Sequence, residues 1–597
     1  MVRARGVNWW WSSDLVFQIL YRKYIVKCVL YLLFAPSVAH AQMERLASTP
    51  QELSDAIASS GPGDTVVMAN GTWTDVVIEF FNEGVEGDTI TLRAETPGQV
   101  ILTGSSRLEI GGSYLKVDGL WFDQGSLRSG HIIEFRRSSS RLSSHSRLTN
   151  CTITNYNPPS YLTEYKWVSI YGSHNRVDHC HFAGKTHDGA TVVVWLRDPP
   201  NDDPVWHRID QNYFGHRPEL PKNGGESLRI GTSSRSMQDA NVIVEHNLFE
   251  ECDGEIEIIS NKSGNNIFRH NTFRRSSGTL TLRHGNEASV YGNYFLGEGK
   301  SRSGGVRIIG ERHRVYNNYF QDLEGTGYRA AVSIVNGIPN SPLNRYFQVK
   351  DAVIAFNTFV NVEETFVMGA GRSSSQSLAP DGLQIVNNLV VTRNGPIVEY
   401  EDTPTNVSYT SNVFYGADLG IEEVDGILVA DPELQAEQDL WVLSNTSVAV
   451  GTATSMDFVS DDIDGQKRDG EPDIGADEIS LAPILYRPLT SQDVGPSYLG
   501  TVLNTELPVP EARRAMIQGY PNPFRSMVSI DFTLEQPSHV QLSIYDLLGR
   551  EIATLMDGPQ SLGDHSALFD GSGLAPGVYF VVIKADGNPM KQTLIKR

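Results

Sequence analysis

Asn271-Thr272-Phe273, Asn293-Tyr294-Phe295 and Asn318-Tyr319-Phe320 are three copies of one short unit: Asn or Cys, any residue, then an apolar residue, usually Phe. Upstream the unit recurs as Asn247-Leu248-Phe249, Asn212-Tyr213-Phe214, Cys180-His181-Phe182 and Cys151-Thr152-Ile153. Downstream it continues as Asn357-Thr358-Phe359, Asn388-Leu389-Val390 and Asn412-Val413-Phe414. Successive copies lie 29, 32, 35, 24, 22, 25, 39, 31 and 24 residues apart, and periods of this size mark solenoids, propellers or arrays. Between copies, Val, Ile, Tyr, Phe and Thr alternate with polar residues as in strands, and long helical patterns are almost absent. The pattern predicts an all-β chain whose main part is a right-handed parallel β-helix. Each coil adds one strand to each long sheet. The Asn side chains hydrogen-bond along one turn as a ladder, and the Phe two residues on stack inside. A propeller is the rival fold, but the uneven coil lengths suit a β-helix with loops on one side. Cys151 and Cys180 occupy the ladder position, which assigns them to buried packing rather than catalysis.

The rest of the composition narrows the function. Among 597 residues, 49 Lys and Arg stand against 71 Asp and Glu, for a net charge of −22. Nucleic acid is excluded as a default partner, because phosphate contacts need basic surface. Any anionic partner would need a local basic groove or a bound cation. Four Cys in so long a chain exclude a disulfide framework. Residues 1–41 read as a signal peptide: Arg22 to Lys27 is basic, Cys28 to Phe34 is apolar, and Ala39-His40-Ala41 precedes Gln42 as a cleavage site. The segment before Arg22 is odd for a signal, so the true start is expected nearer Lys23. The apolar run is too short for a stable membrane span. Export to the medium or the cell surface is therefore expected.

The repeat fades after residue 414, and Asp473-Ile474-Gly475-Ala476-Asp477-Glu478 reads as a closing segment, which sets the β-helix domain at 42–480. Residues 481–516, with Pro483, Pro488, Pro496, Pro508 and Pro510, read as a linker. About seven short strand-like runs then fill 517–597, as in a small immunoglobulin-like β-sandwich. Pro521-Asn522-Pro523-Phe524, Tyr545-Asp546-Leu547-Leu548-Gly549-Arg550 and Leu574-Ala575-Pro576-Gly577-Val578-Tyr579 resemble the C-terminal sorting domain of type IX secretion. That resemblance implies the type IX machinery as a partner.

The chemistry is concentrated between Asn223 and Arg307. Alternation in Ser227-Leu228-Arg229-Ile230, Glu255-Ile256-Glu257-Ile258, Thr279-Leu280-Thr281-Leu282-Arg283 and Val306-Arg307-Ile308 sends the aliphatic residues inward. Arg229, Glu255, Glu257, Arg283 and Arg307 then share one outward face, with Lys262 just beyond. Glu255 and Glu257, with Asn223 and Glu226 from the preceding coil, make an all-oxygen set suited to Ca²⁺. A solvated acidic face balanced by arginines is the plainer reading. A paired-carboxylate hydrolase is a third, but hydrolysis needs carboxylates flanking the scissile bond.

Three blocks make the reading specific: Asn223 to Gly231, Glu250 to Ser263, and Gly278 to Asn286. In order and spacing they resemble polysaccharide lyase family 6, which contains alginate lyases and chondroitinase B. The resemblance runs over about residues 45–480. It implies a catalytic base at Lys262, an acid at Arg283, calcium held by Asn223, Glu255, Glu257 and Glu226, and a substrate contact at His284. Arg229 and Arg307, in the outward column, are candidates for pairing with substrate carboxylates.

The implied reaction is β-elimination in a uronate polymer. The base removes the C5 proton, and the sugar linked through the C4 oxygen leaves. A proton beside an anionic carboxylate is hardly acidic; a cation on that carboxylate neutralises it and stabilises the enediolate. Nearby Ca²⁺ and Arg283 are expected to lower the Lys262 pKa, as its role requires. Guanidinium rarely gives up a proton, so Arg283 is equally readable as stabilising the leaving oxygen or acting through water. The reading is thus an exported lyase of an anionic polysaccharide, alginate first. Dermatan or chondroitin sulfate is the alternative substrate, and a non-catalytic glycan-binding β-helix the alternative from another class, which intact Lys262 and Arg283 disfavour.

Overall fold

The computed structural model describes residues 42–198, 202–502 and, with short gaps, 517–597. The expected signal peptide and residues 503–516 of the expected linker lie outside the described residues. The described chain forms two compact units, divided at Gly500.

The first unit is a parallel β-helix of three long sheets. The first sheet has 14 strands, from Glu44–Ala47 to Ser408–Thr410; the second has 14, from Gly71–Thr74 to Ile427–Val429; the third has 12, from Val77–Phe80 to Val398–Tyr400. The repeat supplies the register of the second sheet: Phe249, Phe273, Phe295 and Phe320 are partners on successive parallel strands. Their rings stack with centroids 4.9, 4.6 and 4.7 Å apart, close to the strand spacing.

The Asn ladder is continuous from Asn212 to Asn412. Each Asn Oδ1 accepts from the backbone N–H of the ladder residue one coil earlier, as Asn293 Oδ1 does from Asn271 at 3.0 Å and Asn318 Oδ1 from Asn293 at 3.1 Å. The amide NH₂ groups donate to carbonyls inside the turn. The residue before each ladder position has a left-handed backbone, from Asn150 (φ 54°) through His270 (53°) to Ser411 (50°). That kink turns the chain and leaves the N–H of the ladder residue pointing along the stack, where Oδ1 of the Asn one coil later accepts it. Cys151 and Cys180 are buried free thiols on the same column, as the sequence predicts.

Two features of this unit are not anticipated by the repeat. A helix, Pro50–Ala58, covers the first coil with Leu53, Ala56 and Ile57; Thr49 caps it, and Glu52 reaches back to the Ser48 N–H. At the other end the chain does not leave at 481. It runs back along the second sheet, where the Leu489 N–H meets Thr272 Oγ1, the Gly495 N–H meets the Gln211 carbonyl, and the Tyr498 hydroxyl meets Thr152 Oγ1. Residues 481–499 therefore belong to the β-helix unit rather than to a free linker. Before this return path, Leu434, Leu440, Ile463 and Ala476 cover Tyr294 and Tyr319 on the outside of the sheet.

The second unit has a three-stranded and a four-stranded antiparallel sheet around Val528, Ile530, Phe532, Leu542, Ile544, Val581 and Ile583. This is the expected small sandwich. Among the described residues no helix is long and apolar enough to cross a membrane.

Candidate active site

Four adjacent strands of the third sheet carry the site: Leu228–Ile230, Glu257–Lys262, Thr279–His284 and Val306–Ile308. Leu228, Ile259, Leu280 and Val306 form one inward row, and Arg229, Ser260, Thr281 and Arg307 the neighbouring outward row. Arg229 and Arg307 thus share a column, as alternation predicts. The carboxylates do not sit between them in that row.

The reason is two irregularities in the second strand, between Glu257 and Ile259 and between Asn261 and Lys262. Bulges shift the phase of the side chains. Glu255 precedes the strand instead of lying on it, and Ile256 is half-buried and outside the core, whereas Ile258 and Ile259 are both inside. The expected alternation Glu255-Ile256-Glu257-Ile258 is corrected accordingly.

Glu257 lies outward but is not free. Its Oε1 accepts from Arg307 Nη2 at 2.5 Å and lies 3.6 Å from Arg283 Nε, while Ser260 donates to its Oε2. Burial would raise its pKa, but Arg307, Lys262 and the Ser260 hydrogen bond outweigh it and hold Glu257 below the usual carboxylate range. Arg307 is correspondingly buried and spoken for. Arg229 makes no ion pair among the described residues; its guanidinium lies 5.5 Å from the Trp195 ring, with Nε buried and unpartnered.

Lys262 stands across from His284 on the adjacent strand, with Nζ 4.0 Å from Glu226 Oε1. His284 is buried, and neither ring nitrogen has a partner. Burial, Arg283 and Lys262 push its pKa down to about 3, so it is neutral at working pH. Burial also lowers the Arg283 guanidinium, against Glu257 and Tyr346. Arg283 Nη1 donates to the Arg345 carbonyl at 3.2 Å, and its guanidinium packs 4.3 Å from the Tyr346 ring centre. Arg345 and Tyr346 come from the 39-residue coil between Asn318 and Asn357, which the ladder spacing marks as the longest. Sequence reasoning located that insertion but none of its contacts. Trp195 and Tyr328, which packs 5.4 Å from Arg307, carried no signal.

The cation question turns on Glu226, Glu255 and Glu257. Glu226 Oε2 is buried without a hydrogen-bond partner. Burial, then Glu226, then Glu257 push the Glu255 pKa up to about 8. Crowded carboxylates with an orphaned buried oxygen fit a hard cation. Asn223, exposed in the same loop, is one further oxygen donor within that segment. Among the described residues, however, no three His, Cys, Asp or Glu groups close a metal shell by themselves. A cation here would need oxygens from Asn223, backbone, water or substrate as well.

With this geometry in hand, residues 47–458 match the family model described as Chondroitinase B, and residues 518–597 match the Secretion system C-terminal sorting domain. Among solved structures, the PL6 family alginate lyase AlyGC is 38% identical, with a TM-score of 0.65 over 75% of this chain and 59% of that one. A mannuronic acid specific family 6 lyase from the human gut microbiota is 31% identical, with a TM-score of 0.59 over 65% of this chain and 91% of that one. The PL6 family polysaccharide lyase of Pseudopedobacter saltans is 28% identical, with a TM-score of 0.58 over 76% of this chain and 98% of that one. The chain spans 59% of the length of the first alginate lyases it matches. No curated protein matches. The C-terminal unit is a secretion sorting domain, and the chain as a whole belongs to the chondroitinase B family of polysaccharide lyases, family 6.

Proposed function

We propose that this protein is an exported polysaccharide lyase that cleaves alginate by β-elimination, with Lys262 as base, Arg283 on the leaving-group side and calcium as cofactor. The observation that carries the reading is the pairing of Lys262 with the His284 end of the strand that bears Arg283, beside three carboxylates. A cationic pair next to a crowded acidic set is poorly suited to hydrolysis by two carboxylates. It suits proton abstraction next to a carboxylate.

In this reading Lys262 Nζ takes the C5 proton, and Arg283 meets the departing C4 oxygen by donating a hydrogen bond or a proton. Tyr346 and the Arg345 carbonyl fix the direction of that guanidinium. Arg229, free of carboxylate partners, orients a substrate carboxylate. Arg307 holds Glu257 and stands in the same column as Arg229, beside the path of a substrate carboxylate. His284 offers an unpartnered ring nitrogen to a sugar hydroxyl. Asn223, Glu226, Glu255 and Glu257 would hold calcium, whose charge neutralises the uronate carboxylate and so acidifies C5–H. The sorting domain supports export through type IX secretion, with the signal peptide at 1–41 as its entry step.

Alginate is favoured by the 38% identity to an alginate lyase. The Chondroitinase B description of the family model favours a second reading, dermatan sulfate as substrate. Digesting alginate, polymannuronate, polyguluronate and dermatan sulfate in parallel, with unsaturated-uronate absorbance as the readout, separates the two. Absorbance rising on none of them overturns the lyase reading.

A further inference from the structure

Beneath the two loops that carry the acidic residues lies a guanidinium which no step above uses. Arg217 is 1% exposed. Nη1 donates to Thr191 Oγ1 at 2.5 Å and to the Glu226 carbonyl at 3.0 Å. Nη2 donates to the carbonyls of Gly224 at 3.0 Å, Gly189 at 2.9 Å and His187 at 3.3 Å. Among the described residues no carboxylate pairs with it directly. Burial pulls its pKa down to about 10, with Glu226 opposing, so it stays charged at neutral pH.

The main chain of Arg217 grips the other loop. Its N–H donates to the Glu251 carbonyl, and its carbonyl accepts from the Asp253 N–H, both at 2.9 Å. Three residues on, the Leu220 N–H donates to the Gly254 carbonyl at 3.0 Å. One residue therefore ties the Gly224–Glu226 segment to the Glu251–Gly254 segment. Directly over it the two loops touch backbone to backbone. A Cβ on Gly254 would lie 2.2 Å from the Gly225 carbonyl oxygen and 2.7 Å from Arg217 Nε. Asn223 and Glu226 flank one side of this junction, and Glu255 and Glu257 follow on the other.

A buried cation is costly unless its donors are used well; both Nη groups of Arg217 are used, and Nε is buried without a partner. Spending one on carbonyls, where a neutral donor would suffice, is explained if its reach matters. Only the planar fork of Arg serves five acceptors on two strands' worth of chain at once. We infer that Arg217 is a positioning residue that holds the Asn223–Glu226 and Glu255–Glu257 segments at cation-binding separation. The inference rests on the calcium reading above. Outer-shell partners of this kind typically alter metal affinity by 10–100-fold.

The test is calorimetric titration of calcium alone into the chelator-stripped full chain, for wild type, Arg217→Lys and Thr191→Val. Arg217→Lys keeps the charge but not the fork. It should raise the calcium Kd by about tenfold or more, and saturating calcium should then recover most of kcat. A merely structural role would lower stability without a calcium-dependent recovery. Thr191→Val removes one acceptor and covers the case in which Arg217→Lys does not fold; a Kd raised about threefold or more supports the assignment. Wild type that binds calcium, with folded variants within about twofold of it, overturns the inference alone. Wild type that binds none overturns the calcium reading, and this inference with it.

Discussion

Arg307 and Glu257 form a 2.5 Å ion pair across an intervening strand, with side chains only 5% and 10% exposed. The pair couples the floor of the site to its stability. Removing one partner of a buried pair strands the other and costs about 3–5 kcal/mol. Glu257→Ala should therefore both lose activity and lower the melting temperature clearly, contrary to what an outward-pointing carboxylate would lead one to expect. Arg307→Met should do likewise. Replacing both should cost less than the sum of the two. Strictly additive losses by thermal denaturation would count against the coupling.

Glu255 should behave in the opposite sense. Its folded pKa is raised to about 8 from 4.5 by burial, Glu226 and Glu257. A group raised in this way contributes stability that is fully present below its unfolded pKa and is lost as pH rises through the folded one. In chelator, wild-type stability should thus fall between about pH 4.5 and 8, and Glu255→Gln should flatten that slope. Melting curves at pH 5 and 8.5 with chelator decide it. A variant that loses as much as wild type over this range would contradict the crowding argument.

Tyr346 supports the Arg283 guanidinium from a loop. A cation over an aromatic face in a desolvated site is worth up to about 2 kcal/mol. Tyr346→Ala should reduce kcat/KM by about tenfold, with little change in melting temperature. Tyr346→Phe should retain most activity, since the ring face is what Arg283 meets. If the Phe variant is as impaired as Ala, the hydroxyl matters instead and the stacking account is wrong.

The β-helix was legible because one physical demand recurs from coil to coil: after each left-handed turn residue comes a buried backbone N–H, which the ladder Asn of the following coil accepts. The site was legible as a set of residues but not as an arrangement. Two bulges break the period around Glu257 and Lys262, and alternation cannot register an extra residue. Arg217 and Tyr346 reach the site from loops of unequal length, where no period relates sequence position to place. The helix over the first coil was missed because a single nine-residue amphipathic stretch, Pro50–Ala58, is easily lost beside so many strands.

The ladder itself makes a stability prediction. Asn293 Oδ1 serves both the N–H and the side-chain amide of Asn271. Asn293→Ala leaves the Asn271 N–H buried without a partner, at a cost of about 1–3 kcal/mol, while the Asn271 side-chain amide keeps its bonds to the Val244 and Arg269 carbonyls. The melting temperature should fall by several degrees while the calcium Kd stays unchanged, because the ladder runs along the turn between the first and second sheets and the site lies on the third. A selective loss of calcium affinity at an unchanged melting temperature would show that the ladder is coupled to the site instead.

The central claim is that Lys262 takes a proton from the substrate. Lys262→Arg keeps the positive charge beside Glu226 but cannot accept a proton near neutral pH. Its turnover of alginate, and of dermatan sulfate in parallel, should be measured by unsaturated-uronate absorbance under saturating substrate. The account predicts a fall of at least ~10²-fold, the usual worth of a positioned base, with substrate binding retained. Turnover at the wild-type rate would mean that Lys262 only supplies charge, and the base would then have to be sought first at His284.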